Sequence, residues 1–91
     1  KFRMLPNYPN PFNPTTKIRF ELPEDAYVRL VIMDLLGRNI RTLKDGKING
    51  GYHLIDWDGM MDIGAQAPAG IYFIRFESKT YQKTHKTLLV K

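Results

Sequence analysis

The feature that most constrains this chain is a succession of short runs in which apolar and polar residues alternate. Residues 17–22 read KIRFEL, with an apolar residue at every second position. Residues 28–33 read VRLVIM, in which Val28, Leu30 and Ile32 share one face and the other face is only partly polar. A period of two is typical of a strand with one face buried. Further runs predict strands at about 39–44, 52–57, 71–78 and 80–90. No stretch keeps a helical period for more than a turn or two.

Turn signals separate these runs. Gly37, within the segment Asp34 to Arg38, is expected to supply the positive φ that a hairpin connection often needs. Asp45-Gly46 and Asn49-Gly50-Gly51 predict two more turns, and residues 58–70 predict a loop. Such spacing predicts an all-β fold, an immunoglobulin-like antiparallel β-sandwich of about seven strands, with a small barrel as the alternative.

The chain is short enough for a single domain, residues 1–91. Trp57 and Tyr72 are the large side chains expected in its core, although Trp57 could instead form a surface platform. The first residue is Lys1 rather than Met, so we expect a C-terminal fragment of a larger secreted protein. No apolar run reaches the roughly 20 residues of a membrane-spanning helix.

Residues 1–14 are an extended lead-in rich in proline and asparagine. Each proline fixes φ and pushes the residue before it into an extended conformation, so the segment should be stiff and non-helical. The apolar side chains of Leu5, Tyr8 and Phe12 are spaced along it and are predicted to anchor it against a sheet. A solvated linker is the alternative.

The net charge of +5 is concentrated at the C-terminal end. Residues 79–91 carry four lysines and no acid, so the first 78 residues sum to only +1. Nucleic-acid binders more often spread basic residues over a face and interleave them with aromatic residues, so no nucleic-acid partner is expected. Lysines in a last strand can also simply protect a sheet edge from aggregation.

No constellation of residues predicts catalysis or metal binding. With no cysteine, the chain has neither a disulfide framework nor thiol chemistry. Asp56, Asp58 and Asp62 form a local cluster, but no acid closes a calcium loop, so hydrogen bonds within a turn are the preferred interpretation. His53 and His85 lack partners at ligand or triad spacing. We therefore expect no enzyme activity and no cofactor.

The aromatic residues allow a second function class. Trp57, Tyr27, Tyr52 and Tyr81 could stack on sugar rings if they shared an exposed face. An accessory carbohydrate-binding or spacer β-sandwich of an extracellular polysaccharide-degrading enzyme is therefore the alternative function.

The run from Leu5 to Thr16, LPNYPNPFNPTT, favours another function class through its resemblance to a known family. It closely resembles the opening of the C-terminal sorting domains carried by cargo of the type IX (Por) secretion system. The resemblance covers essentially the whole chain, through these later segments: VRLVI at 28–32, DLLGR at 34–38, GYH at 51–53, Trp57, AGIY at 69–72 and KTLLVK at 86–91. The segment at 57–64 is also similar to the immunoglobulin-like domain of flagellar hook-capping proteins.

The resemblance implies a non-catalytic module that directs an attached secreted protein across the outer membrane. Its implied partners are the outer-membrane secretion machinery and a cell-surface, sortase-like protease, and its implied location is secreted or at the cell surface. The resemblance assigns sorting-signal recognition to Lys86, Leu88, Leu89, Val90 and Lys91. Its remaining motif residues are Pro9, Asn10, Pro11, Phe12, Asn13, Pro14, Asp34, Gly37, Trp57, Gly70 and Tyr72.

Overall fold

The computed structural model describes all 91 residues and shows an all-β sandwich without helices. Its strands are β1 (Arg3–Met4), β2 (Thr16–Leu22), β3 (Ala26–Met33), β4 (Asn39–Ile48), β5 (Gly51–Trp57), β6 (Gly70–Glu77) and β7 (Gln82–Leu89). Every ladder between them is antiparallel. The predicted immunoglobulin-like sandwich is confirmed.

The strands divide into two sheets. The three-stranded sheet has the order β1-β2-β5, and the four-stranded sheet has the order β4-β3-β6-β7. The inward residues of both sheets meet in one core, as the alternating pattern requires. Phe20 on β2 packs against Phe76 on β6 with ring centroids 4.8 Å apart, which joins the two sheets near the middle.

Trp57 and Tyr72 both lie in this core, as predicted. Trp57 is completely buried, with Phe12 at 5.4 Å on one side and Tyr72 at 5.5 Å on the other. Its indole Nε1 donates a hydrogen bond of 3.0 Å to the carbonyl of Met60, so the one polar atom of the ring has a partner. A surface platform at Trp57 is therefore ruled out.

The predicted turn at Asp45-Gly46 is wrong, because both residues lie inside β4. They pair with Arg29 and Val28 of β3, whose ladder continues as far as Ala26. The Asp45 carboxylate accepts a hydrogen bond from the Tyr27 hydroxyl and lies near the Arg29 guanidinium, so cross-strand partners hold it in the sheet. Long-range pairing has overridden a local turn preference. The turn predicted at residues 49–51 is confirmed at Asn49 and Gly50, and Gly51 begins β5.

Candidate functional site

The lead-in closes one side of the sandwich and brings the two ends of the chain together. β1 forms the outer strand of the three-stranded sheet, and β7 forms the outer strand of the other. Between them, the buried Asn7 amide donates hydrogen bonds of 2.9 Å to Thr16 Oγ1 and 2.7 Å to Thr87 Oγ1. Thr16 donates in turn to the carbonyl of Pro9 at 2.8 Å. A polar network therefore joins both sheets.

Residues Asn10 and Phe12 occupy the outer edge of β7. The Leu88 N–H donates to Asn10 Oδ1 at 3.1 Å, and the Leu88 carbonyl accepts from the Phe12 N–H at 2.9 Å. Asn10 Nδ2 also donates to the Lys86 carbonyl at 3.2 Å, and the Val90 N–H donates to the Phe12 carbonyl at 3.0 Å. In this conformation the backbone of Leu88 has no free group with which to pair an incoming strand.

The apolar residues of the lead-in have different environments. Phe12 is buried against Trp57 and Leu5 is half-buried, so the predicted anchoring holds for them and the linker alternative is wrong. Tyr8 does not anchor the segment, since its side chain is 70% exposed. Its backbone pairs with Lys17 instead, which turns the ring outward. The remaining motif residues of the lead-in are exposed, namely Pro9, Pro11, Asn13 and Pro14.

The five predicted recognition residues do not share one surface. Leu89 points inward and is 1% exposed, whereas Leu88 is 37% exposed on the opposite face of β7. Lys86 is exposed on the same face as Leu88, and Val90 and Lys91 are exposed beyond the end of the strand. Alternation along β7 therefore leaves Leu89 as a core residue and the other four accessible to a partner.

The four lysines of residues 79–91 carry no ion pair, including Lys86 and Lys91 of the last six residues, 86–91, which we call the tail. All eight ion pairs of the domain lie elsewhere, and Lys17 is the only lysine among their members. On the outer face of the four-stranded sheet, Glu77 lies within ion-pair distance of Arg29 and Arg75. The uncompensated positive charge of the domain thus includes the whole C-terminal lysine set.

The turn between β3 and β4 is fixed by Asp34. Its Oδ1 accepts the N–H groups of Leu36 at 2.9 Å and Arg38 at 3.0 Å, and its Oδ2 accepts from Arg38 Nε at 2.8 Å. Gly37 takes φ = 80°, as the sequence predicted. Desolvation acts to raise the pKa of the Asp34 carboxyl, but the hydrogen bonds and charge of Arg38, with the Leu36 N–H, outweigh it and lower this pKa.

Gly70 and Tyr72 have structural positions. Gly70 begins β6 at φ = 154°, and the Tyr72 hydroxyl donates to the Pro68 carbonyl at 2.5 Å. Burial, and secondly the negative charge of Asp34, raise the pKa of the Tyr72 hydroxyl. The Tyr72 hydrogen bond therefore attaches the end of the loop of residues 58–69 to β6.

Two of the three clustered aspartates, Asp58 and Asp62, serve the same loop, whereas Asp56 lies on β5 and pairs with Lys17 at 3.5 Å. Asp58 Oδ1 accepts the Met60 N–H at 3.0 Å, which is the turn bonding that the sequence predicted. Asp58 and Asp62 also lie 3.1 and 3.8 Å from the Arg41 guanidinium, and the Asp62 carboxylate accepts the Thr42 N–H. These contacts attach the loop to β4 at the opposite edge of the four-stranded sheet.

The aromatic residues do not form a common stacking face. Trp57 is in the core, and Tyr81 is half-buried with its ring stacked on Phe2 at 5.6 Å. Tyr27 and Tyr52 are exposed, but they lie on β3 and β5 and therefore on different sheets. The sugar-binding alternative therefore loses support, because Trp57 is buried and the two exposed tyrosines lie on different sheets.

Sequence reasoning missed the residues that organise this site. The structure places Asn7, Thr16 and Thr87 together, although they are 80 positions apart at the extremes. A polar residue at an inward position of an alternating strand, as at Thr16 and Thr87, was the available signal. No helix in the structure has the length and apolar character needed to cross a membrane.

Comparison with known proteins identifies the family. The family model described as FlgD Ig-like domain matches residues 8–82. The basal-body rod modification proteins FlgD of Salmonella typhimurium and Salmonella typhi are each 39% identical over 61 residues, which is 66% of this chain. The chain spans about a quarter of the length of these curated relatives, 26%.

Solved structures share the fold over nearly the whole domain. A part of dimeric latent PorU from Porphyromonas gingivalis superposes with a TM-score of 0.76 at 23% identity, covering 99% of this chain and 9% of PorU. PorZ, described as an essential bacterial surface component of the type-IX secretion system of the same organism, gives 0.62 at 18% identity, covering 99% of this chain and 11% of PorZ. With its family model matched across most of its length, this chain belongs to the FlgD Ig-like domain family.

Proposed function

We propose that this domain is a non-catalytic C-terminal sorting module that directs an attached secreted protein across the outer membrane by the type IX system. The observation that carries the proposal is a row of exposed side chains on β7 and just beyond its end. Lys86 and Leu88 point outward, Val90 and Lys91 follow, and neither lysine has an ion-pair partner. The resemblance places the family's signal in these same residues, 86–91.

The arrangement explains how a folded domain could present a short signal. Unpaired lysines attract an acidic partner over distances of about a Debye length, roughly 8 Å at physiological salt, and so speed encounter. Leu88 and Val90 then offer apolar contact at short range. Because Leu89 anchors the strand in the core, the outward residues keep a fixed spacing only while the domain is folded.

Two further observations support the proposal. Domains of the same fold occur in PorU and in PorZ, and PorZ is itself a surface component of the type IX system. We also propose the secretion machinery and a cell-surface, sortase-like protease as partners, and a secreted or cell-surface location for the attached protein. These assignments rest on the resemblance of the lead-in and tail motifs.

The test fuses residues 1–91 to a periplasmic reporter in a bacterium that has a type IX system. Deleting residues 86–91 would be a poor variant, because it removes Leu89 from the core. The better variant is Leu88→Ser with Val90→Ser, and its control is Leu54→Ser, an exposed leucine on β5. We expect export with the parent and control sequences and its loss with the double variant. A parent fusion that stays in the periplasm would refute the proposal.

A second candidate is a role in the flagellar basal body, supported by the 39% identity to FlgD. Here the test replaces the matching segment of Salmonella FlgD with this domain and scores motility. Restored motility would favour the flagellar role, whereas a non-motile strain containing a stable, folded chimera would argue against it.

A further inference from the structure

Four exposed apolar side chains gather at one end of the four-stranded sheet. They are Leu35, Leu36, Ile71 and Leu88, which we call the leucine patch, and their exposed fractions are 65%, 77%, 36% and 37%. Ile71 is the cross-strand partner of Leu88, and Leu35, Leu36 and Ile71 line one shallow groove of about 230 Å³. Sequence-distant residues therefore form one surface beside the tail.

The turn that carries Leu35 and Leu36 does not need leucine for its own stability. Its hydrogen bonds come from the Asp34 carboxylate and from the backbone, where Gly37 N–H donates to the Asp34 carbonyl and Asp34 N–H to the Arg38 carbonyl, both at 3.0 Å. Two leucines at such a tip gain nothing from the core, and contiguous exposed apolar surface commonly marks an interaction site. The five hydrogen bonds of the turn, three to the Asp34 carboxylate and two within the backbone, hold both leucines in a fixed position.

The charges around the leucine patch indicate which kind of partner it would bind. Lys86 lies two residues before Leu88 on the same face of β7, opposite Phe73 of β6, and has no ion-pair partner. The nearest acid of the turn, Asp34, is already bonded to Arg38. The other acids on this sheet face, Asp45 and Glu77, pair with β3 near its opposite end, at Arg29. A second copy docked symmetrically here would bring like charges together.

We infer that the leucine patch is a docking site for an acidic protein surface that offers an apolar pocket to Leu35 and Leu36. The inference rests on the proposed sorting function and identifies the surface that its partner would read. Recognition would then depend on the turn between β3 and β4 as well as on the tail, with Lys86 guiding the encounter and the leucines supplying contact area.

The test uses the same reporter fusion with two pairs of variants. Leu35→Ser with Leu36→Ser removes the turn leucines, and Leu54→Ser with Ile63→Ser removes two exposed apolar side chains that do not line the groove. We expect the first pair to lower the exported fraction by roughly tenfold, as expected for two central interface residues, and the second to leave it unchanged. Thermal unfolding of each purified domain should match the parent, since all four side chains are exposed.

Charge is tested separately at Lys86. Lys86→Glu should reduce export more than Lys86→Gln, because reversal adds repulsion from an acidic partner, and Lys47→Glu on β4 should have no effect. Equal losses with glutamate and glutamine would overturn the acidic partner. The proposal would also be wrong if the parent domain dimerised in sedimentation velocity, or bound vesicles containing anionic lipid, and Leu35→Ser with Leu36→Ser abolished that association.

The outcomes distinguish the two proposals. Export of the parent fusion together with normal export of the Leu35→Ser and Leu36→Ser variant would sustain the sorting function and reject the docking site. Failure of the parent fusion to leave the periplasm would reject both.

Discussion

Asn7 and Thr87 are hydrogen-bonded through their side chains at 2.7 Å, although 80 positions separate them in the chain. Thr87 Oγ1 donates onward to Asn10 Oδ1 at 3.2 Å, so the bond belongs to a network that fixes the lead-in to the last strand. The strand that bears the tail is thus held in place by the first residues of the domain. Any change that loosens the lead-in should also loosen the tail.

Asn7→Ala should destabilise the domain by about 1–3 kcal/mol, because it removes the donor shared by two buried threonine hydroxyls. The matched control is Asn13→Ala, an exposed asparagine of the same segment, which should change stability by no more than about 0.5 kcal/mol. Urea unfolding, followed by the fluorescence of the single tryptophan, measures both. Equal effects would show that the buried network contributes nothing specific.

Phe12→Ala should cost about 3–5 kcal/mol, since Phe12 is buried against Trp57 and truncation leaves a cavity beside it. Tyr8→Ala, in the same lead-in but with an exposed ring, should cost under about 1 kcal/mol. Chemical denaturation of the two variants compares them directly. If Phe12→Ala were as stable as the parent domain, residues 1–14 would be a linker and not part of the fold.

Gly50→Ala and Gly46→Ala should have different consequences for stability. A Cβ at Gly50 would lie 2.8 Å from the Glu24 Cα, which is a backbone clash that the turn must move to relieve. We expect a loss of about 1–3 kcal/mol, comparable to overpacking. A Cβ at Gly46 meets nothing within 4 Å, and alanine suits a strand better than glycine, so this change should be neutral or stabilising by up to about 1 kcal/mol. The midpoints of thermal unfolding of the two variants, compared with the parent domain, would measure this difference.

Asp34→Asn should lower stability at neutral pH by an amount that shrinks in acid. The folded domain holds the pKa of Asp34 below its usual value of 3.8. A lowered folded-state pKa means that the stabilisation is fully present above the unfolded-state value and disappears as pH falls through the folded-state value. Denaturant midpoints of parent and variant, measured from pH 7 to pH 2, should therefore converge below about pH 3.8.

Arg38→Ala is the companion measurement. It removes the guanidinium that donates to Asp34 at 2.8 Å, so the pKa of Asp34, followed by NMR titration of its carboxyl carbon, should rise toward the usual value. A stability difference between Asp34→Asn and the parent that stays constant across the whole pH range would contradict the role given to this carboxylate.

The sequence was sufficient to predict the fold class and most strand positions. It favoured a buried Trp57 and an anchoring Phe12, but left a surface platform and a solvated linker open. Strict alternation specifies which face of a strand is buried, so period alone carries that information. The turn predicted at Asp45-Gly46 failed because its signal is local, whereas the pairing with β3 that keeps these residues extended is long-range.

The site was only partly predictable for a related reason. Motif resemblance selected residues 86–91 as one block, but the strand divides them, sending Leu89 into the core and Leu88 outward. The Asn7 network and the leucine patch depend on contacts between residues many positions apart, which no local pattern encodes. Sequence position therefore indicated a candidate segment, and the pleat of β7 determines which of its side chains are exposed.

The neighbours Leu88 and Leu89 should separate recognition from stability. Leu89→Ala removes a core side chain and should cost about 2–5 kcal/mol, whereas Leu88→Ala removes a partly exposed one and should cost under about 1 kcal/mol. In the reporter fusion, we expect Leu88→Ala to reduce export while the domain keeps its unfolding midpoint. Leu89→Ala should reduce export only as far as it unfolds the domain, so lowering the temperature should restore it. If export instead follows stability alone in both variants, the outward face of β7 is not what the partner recognises.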